Sequence, residues 1–133
     1  MDNADDILAW LAVAQRDYDI ALHLSVAFRP LPIANICYNC QQAIEKALKA
    51  ILIYHASEYP KTHDIRELHQ LCKESGTDFG LTPSVTRTLT RYATKSRYPD
   101  GMHEFTDKDA DIGLKYAKQI LEKAKHIVTL YLS

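Results

Sequence analysis

The chain has 133 residues, 47% of them apolar and 25% charged, with a formal net charge of −1. This is the balance of an ordinary globular protein, long enough to bury a core and short enough for one domain over residues 1–133. It excludes a globally basic nucleic-acid binder, so any affinity for nucleic acid must come from a local patch. Three cysteines, an odd number, argue against a disulfide scaffold and for a reducing, cytoplasmic compartment. The N-terminus, Met1 to Asp6, is acidic, the reverse of a targeting sequence. No apolar run approaches the roughly 20 residues that span a bilayer, so no membrane partner is expected.

The first helix is expected from about Asp5 to Ala27, with Asp5 and Asp6 at its electropositive start. Ile7, Leu11, Ala14, Tyr18, Ala21, Leu22 and Ser25 form its inward face, and Trp10 flanks that face. Arg29-Pro30-Leu31-Pro32 ends it, because proline lacks an N–H donor and disfavours the α conformation before it. A central helix follows from about Ile33 to His55. Ile33, Ile36, Cys37, Cys40, Ile44, Ala47, Leu48, Ile51 and Leu52 repeat at helical spacing and predict one buried face. Asn39, Gln42, Glu45, Lys46 and Lys49 fall opposite. Gln41, Glu45 and Lys49 are expected to form an exposed row bordering a dimer cleft.

Residues 57–63 read as a connector. Asp64-Ile65-Arg66-Glu67 is a capping-box pattern that starts a short helix through Leu68, Leu71 and Cys72. Thr82-Pro83 opens a fourth helix, as a cap followed by proline at the first helical position, with Val85, Leu89 and Tyr92 inward. Pro99-Asp100-Gly101 makes residues 97–105 a loop. Thr106 caps the last helix, which runs to about Leu132 through Ala110, Leu114, Ala117, Ile120, Leu121, Ala124, Ile127 and Val128. No segment alternates with period two. The expected fold is all-α, an up-and-down bundle of three long and two shorter helices.

Cys37-x-x-Cys40 has the look of a redox or metal pair, and His69-x-x-Cys72 is the nearest completing set. Both Cys37 and Cys40 lie on the apolar stripe of the central helix, where free cysteine behaves as a small hydrophobe. They are read as packing, and no metal and no cofactor is expected. Arg87, Arg91 and Lys95 form an i, i+4, i+8 stripe on the fourth helix, with no acid between Asp78 and Asp100. This is the most basic region of the chain and a candidate phosphate ridge. Lys61 and His63, before the third helix, are a second candidate anion site at a helix start. Five residues separate Arg97 from His103 in the loop after the ridge. Arginine steadies charge developing on a phosphate, and histidine carries a proton near neutral pH. The pair is therefore a candidate for metal-free RNA cleavage.

The segment from Cys40 to Ala50, Cys-Gln-Gln-Ala-Ile-Glu-Lys-Ala-Leu-Lys-Ala, resembles the central-helix signature of the HEPN domain. Trp10, Ala14, Asp17 and Ala21 resemble its first helix. Lys61-Thr62-His63-Asp64-Ile65 with Leu68 resembles its third-helix entry, and Arg97-Tyr98-Pro99-Asp100 the loop before its last helix. The resemblance covers nearly the whole chain, with the motifs in order. It implies an up-and-down α-helical bundle, a homodimer, and a minimal nucleotidyltransferase as the antitoxin partner. For the active members it implies a metal-independent RNase built on an arginine and a histidine at the dimer cleft, roles that fall here on Arg97 and His103. Two positions depart from the pattern. Tyr98 and Pro99 follow the arginine where active members often carry a polar residue. Phe105 stands two residues after the histidine, where members modified by the nucleotidyltransferase carry tyrosine. These departures leave open a nucleotide- or RNA-binding form that docks its partner without cleaving RNA.

Overall fold

A computed structural model describes residues 3–94 and 105–132. Its helices are α1 (Asn3–Ala27), α2 (Ile33–Tyr54), α3 (Ile65–Ser75), α4 (Pro83–Thr94) and α5 (Asp107–Leu132). Three are long and two short, as expected, and there is no strand among the described residues. None of these helices is long and apolar enough to cross a membrane.

The local signals set the helix ends. The Asp64 carboxylate accepts from the Arg66 and Glu67 backbone N–H groups and so caps α3. The Thr82 hydroxyl accepts from Val85 N at 3.2 Å ahead of α4. Before α5, Asp109 reaches back to Thr106 N at 2.8 Å, the return half of a capping box. Gly76 ends α3 at φ +125°, a conformation L side chains rarely adopt, and a Cβ there would meet His55 Cε1 at 3.3 Å.

Helix α2 packs against all four of the others. That central position overturns the expectation of a single buried face. Besides Ile36, Ile44, Leu48, Ile51 and Leu52, the core takes in Ala43 and Ala50 from the sides of the helix. Burying each large aliphatic side chain contributes about 1.5–3 kcal/mol, so α2 supplies the main hydrophobic stabilisation of the fold. Gly113 of α5 lets that helix approach α2 closely: a Cβ there would lie 3.1 Å from Cys40 Cβ and 3.3 Å from its Sγ. Helix α1 turns Ala14 and Ala21 inward, while Leu22, expected inside, is 44% exposed. An ion pair from Lys46 to Asp17, at 2.6 Å, ties α1 to α2.

Candidate functional site

A buried polar constellation lies where α2 passes beneath the entry to α3. Gln41, Glu45 and Lys49 were expected on an exposed row, but they are 0%, 3% and 7% exposed. Two layers cover them. The chain leading into α3 lies over Gln41 and Glu45: Gln41 Nε2 donates to the His63 carbonyl at 3.2 Å. Trp10 of α1 and Tyr59 of the connector cover Lys49, meeting edge to face at 5.7 Å, with the ammonium 5.7 Å from each ring centroid. Cation–π attraction makes such a lid favourable over a desolvated ammonium.

Beneath this cover, Lys49 Nζ donates to Glu45 Oε2 at 2.9 Å. Gln41 Nε2 lies 3.2 Å from Glu45 Oε1, and Gln42 donates to Gln41 Oε1 at 2.8 Å. His63 Nδ1 is 2.8 Å from the same Glu45 Oε1. An ionised carboxylate only accepts, so Nδ1 carries the proton. Burial pushes the Glu45 carboxyl up, but hydrogen bonds from Lys49, His63 and Gln41, with the Lys49 charge, outweigh it and hold it below its ordinary 4.5. The two ends of the cluster differ sharply. The Glu45 side chain is 5% exposed, whereas that of His63 is 73% exposed. A buried carboxylate thus fixes the orientation of a surface imidazole.

The entry loop is pinned independently. Thr62 Oγ1 accepts from Asp64 N at 3.1 Å, and Thr90 Oγ1 of α4 accepts from Ile65 N at 2.9 Å. With Arg66 N and Glu67 N held by Asp64, the first N–H groups of α3 are already bonded. An anion beside Lys61 and His63 would therefore be held by side chains. Lys61 is exposed, as are Arg87 and Arg91. The bond from Ile65 to Thr90 sets this loop against α4, the helix that carries both arginines. The Arg91 guanidinium stands 5.9 Å from the centroid of the Phe105 ring. Phe105 is 7% exposed and stacks edge to face on Tyr92 at 4.9 Å, while Tyr92 donates to Asp109 at 2.8 Å. Of the other site candidates, Lys95, Arg97 and His103 lie outside the described residues.

The cysteines pack, as expected. Cys37, Cys40 and Cys72 are fully buried and free, and Cys72 Sγ donates to the Leu48 carbonyl at 3.5 Å. Burial pushes the Cys37 and Cys72 thiols up to about 12, and raises Cys40 as well. His69 accepts from Leu81 N at 3.4 Å. Among the described residues no group of His, Cys, Asp and Glu side chains is gathered closely enough to hold a metal.

The sequence signal for the buried cluster was present but ambiguous. Gln41, Glu45 and Lys49 recur at i, i+4 spacing, which equally describes a solvated ion-pair row. The aromatic lid, Trp10 and Tyr59, comes from far along the chain, and only the folded arrangement shows that it covers Lys49.

These features define a class: an all-α domain with a central buried helix and a polar seam under the third-helix entry. The HEPN domain model matches residues 7–127, most of the chain, and the chain belongs to the HEPN domain family. It is similar to the crystal structure of TT1696 from Thermus thermophilus, with a TM-score of 0.69 and 24% identity over 95% of this chain and 98% of that one. It is also similar to ST0689, an archaeal HEPN homologue, with a TM-score of 0.64 and 23% identity over 96% and 99% of the two chains. At such identities the likeness is one of fold. No curated protein matches the chain.

Proposed function

We propose that this HEPN protein is a homodimeric, metal-independent endoribonuclease, the toxin-like half of a pair with a minimal nucleotidyltransferase. The observation that carries the reading is the exposed basic face of α4. Arg87 and Arg91 precede Arg97 and His103 in the sequence, and Arg91 stands over Phe105, two residues after His103. Such a face neutralises a phosphate backbone, on which Arg97 and His103 act. Lys61 and Lys95 extend the phosphate contacts, with His63 beside Lys61 at the entry to α3. In the reaction the 2′-hydroxyl attacks the adjacent phosphorus and the 5′-oxygen departs, leaving a 2′,3′-cyclic phosphate. His103 takes or gives the proton, and Arg97 steadies the charge on the phosphoryl oxygens. A second copy is supported by α1 and the residue after it, which leave Leu8, Ile20, Leu22, Val26 and Phe28 between 42% and 73% exposed. Production of the wild type in cells lacking the partner arrests growth, and His103→Ala does not. A harmless wild type whose purified dimer leaves RNA intact refutes the reading.

One observation favours a second reading, a nucleotide- or RNA-binding module that docks a nucleotidyltransferase without cleaving RNA. Phe105 is packed into the core at the position where modified family members carry tyrosine, so the acceptor hydroxyl is missing there. Tyr98-Pro99 directly after Arg97 points the same way. Nucleotide binding by calorimetry and co-purification with the nucleotidyltransferase, without RNA cleavage, is its signature; no binding in either assay removes it.

A further inference from the structure

We infer that His63 is a ribose-contacting residue whose Nε2 accepts a hydrogen bond from the 2′-hydroxyl of an RNA ligand, with Glu45 as its positioning residue. The inference rests on the RNA-handling reading above and adds the group that distinguishes RNA from DNA. It starts from the asymmetry of the couple. The Glu45 carboxylate is enclosed and already balanced by Lys49 at 2.9 Å, while its one contact that reaches the surface is the His63 ring, 73% exposed. A ring that exposed contributes little to packing. Anchoring the loop does not require it either, because Gln41 holds the His63 carbonyl and Thr90 holds Ile65 N.

What the ring gains is a defined tautomer. With Nδ1–H committed to Glu45 at 2.8 Å, the neutral imidazole presents Nε2 as a lone-pair acceptor on the far side of the ring. Nε2 has no hydrogen bond among the described residues. Its complement is therefore a donor. Lys61, exposed two residues earlier, is an ammonium suited to a phosphate. A hydroxyl donor beside a phosphate is the 2′-hydroxyl next to a 3′-phosphate, the feature that marks RNA. Asp64, the neighbouring acid, turns to the Arg66 and Glu67 N–H groups as the cap of α3.

The test measures binding of adenosine 3′-monophosphate and of its 2′-deoxy counterpart to the full chain by NMR titration. Neither probe contains a diester to cleave, so the result does not depend on RNase activity. The wild type is expected to bind the ribonucleotide about tenfold more tightly, the scale of one good hydrogen bond. His63→Ala, a change at an exposed ring, abolishes the preference by lowering the ribonucleotide affinity to that of the deoxynucleotide. Glu45→Met/Lys49→Met removes both buried charges together, and the preference falls although His63 is present. In the same samples, imidazole 15N shifts show Nδ1–H in the wild type and a mixture of tautomers in the double variant, a signature that a merely structural Glu45 would not produce. Equal affinity for the two probes, or a preference that survives His63→Ala, overturns the inference. Cleavage of RNA by wild type and His63→Ala at equal kcat/KM overturns it while the parent reading stands. A His63-dependent preference in a protein that never cleaves RNA supports it while the RNase reading fails.

Discussion

Replacing Glu45 by alanine removes the centre of the buried cluster and leaves the Lys49 ammonium, 9% exposed at its side chain, without its carboxylate. The aromatic lid of Trp10 and Tyr59 cannot replace a counter-ion, and Gln41 offers only a neutral amide. Breaking one side of a buried ion pair costs about 3–5 kcal/mol, because the remaining charge stays desolvated. The total stability of a domain is about 5–15 kcal/mol, so Glu45→Ala sits near the limit of folding. Unfolding entropy of about 2.1 cal/mol/K per residue gives about 0.28 kcal/mol/K for 133 residues. The expected fall in Tm is then roughly 11–18 °C. Glu45→Met/Lys49→Met exchanges both charges for apolar side chains, and such exchanges are often neutral or stabilising. Urea melts at pH 7, followed by circular dichroism, provide the double-mutant cycle when Glu45→Met and Lys49→Met are measured beside the double variant. A loss under about 1 kcal/mol in Glu45→Ala, or additive single variants, refutes the description of a desolvated, coupled pair.

Other expectations follow from the same structure. The depressed Glu45 carboxyl adds stability above its ordinary 4.5, and that stability is lost as pH falls through the lower folded value. Glu45→Gln therefore flattens the loss of stability in denaturant melts below pH 4.5; an unchanged slope contradicts the assignment. Gly113→Ala places a methyl 3.1 Å from Cys40 Cβ, so the helix-propensity gain of about 1 kcal/mol is outweighed by overpacking of about 1–3 kcal/mol, and a raised Tm would count against this contact. Phe105→Ala opens a cavity beside Tyr92 and lowers stability by about 3 kcal/mol in urea melts; a loss near zero would show that the ring does not anchor α5. Cys37, Cys40 and Cys72 react with a thiol reagent at pH 8 only as fast as the chain opens, since burial keeps them protonated. Rapid labelling of the native protein would disprove their packing.

The helices were legible because their signals are local. The apolar spacing of α2, the Asp64 cap, Thr82-Pro83 and the Thr106 start all act within one or two turns, and each appears at its expected place. Burial on the sides of α2 was not legible. A row such as Gln41, Glu45 and Lys49 has the same spacing whether water or Trp10 and Tyr59 lies over it. Leu22 shows the converse error: its spacing permits an inward position, but Ala21 takes the closer approach and Leu22 turns out. Gly113 carries no local signal for its role in α5, because its reason is the Cys40 side chain on another helix. In the candidate site, Lys61 and His63 are singled out by residue type and position alone, whereas the coupling of His63 to Glu45 depends on a long-range approach between α2 and the α3 entry. The Arg97–His103 pair rests on sequence spacing and family membership.

The direct measurement of the central claim is incubation of purified wild-type protein with RNA in the presence of excess chelator, beside Arg97→Ala and His103→Ala. Fragments ending in 2′,3′-cyclic phosphate are expected from the wild type, and intact RNA from both variants. Intact RNA with the wild type, or equal cleavage by all three, would contradict the claim.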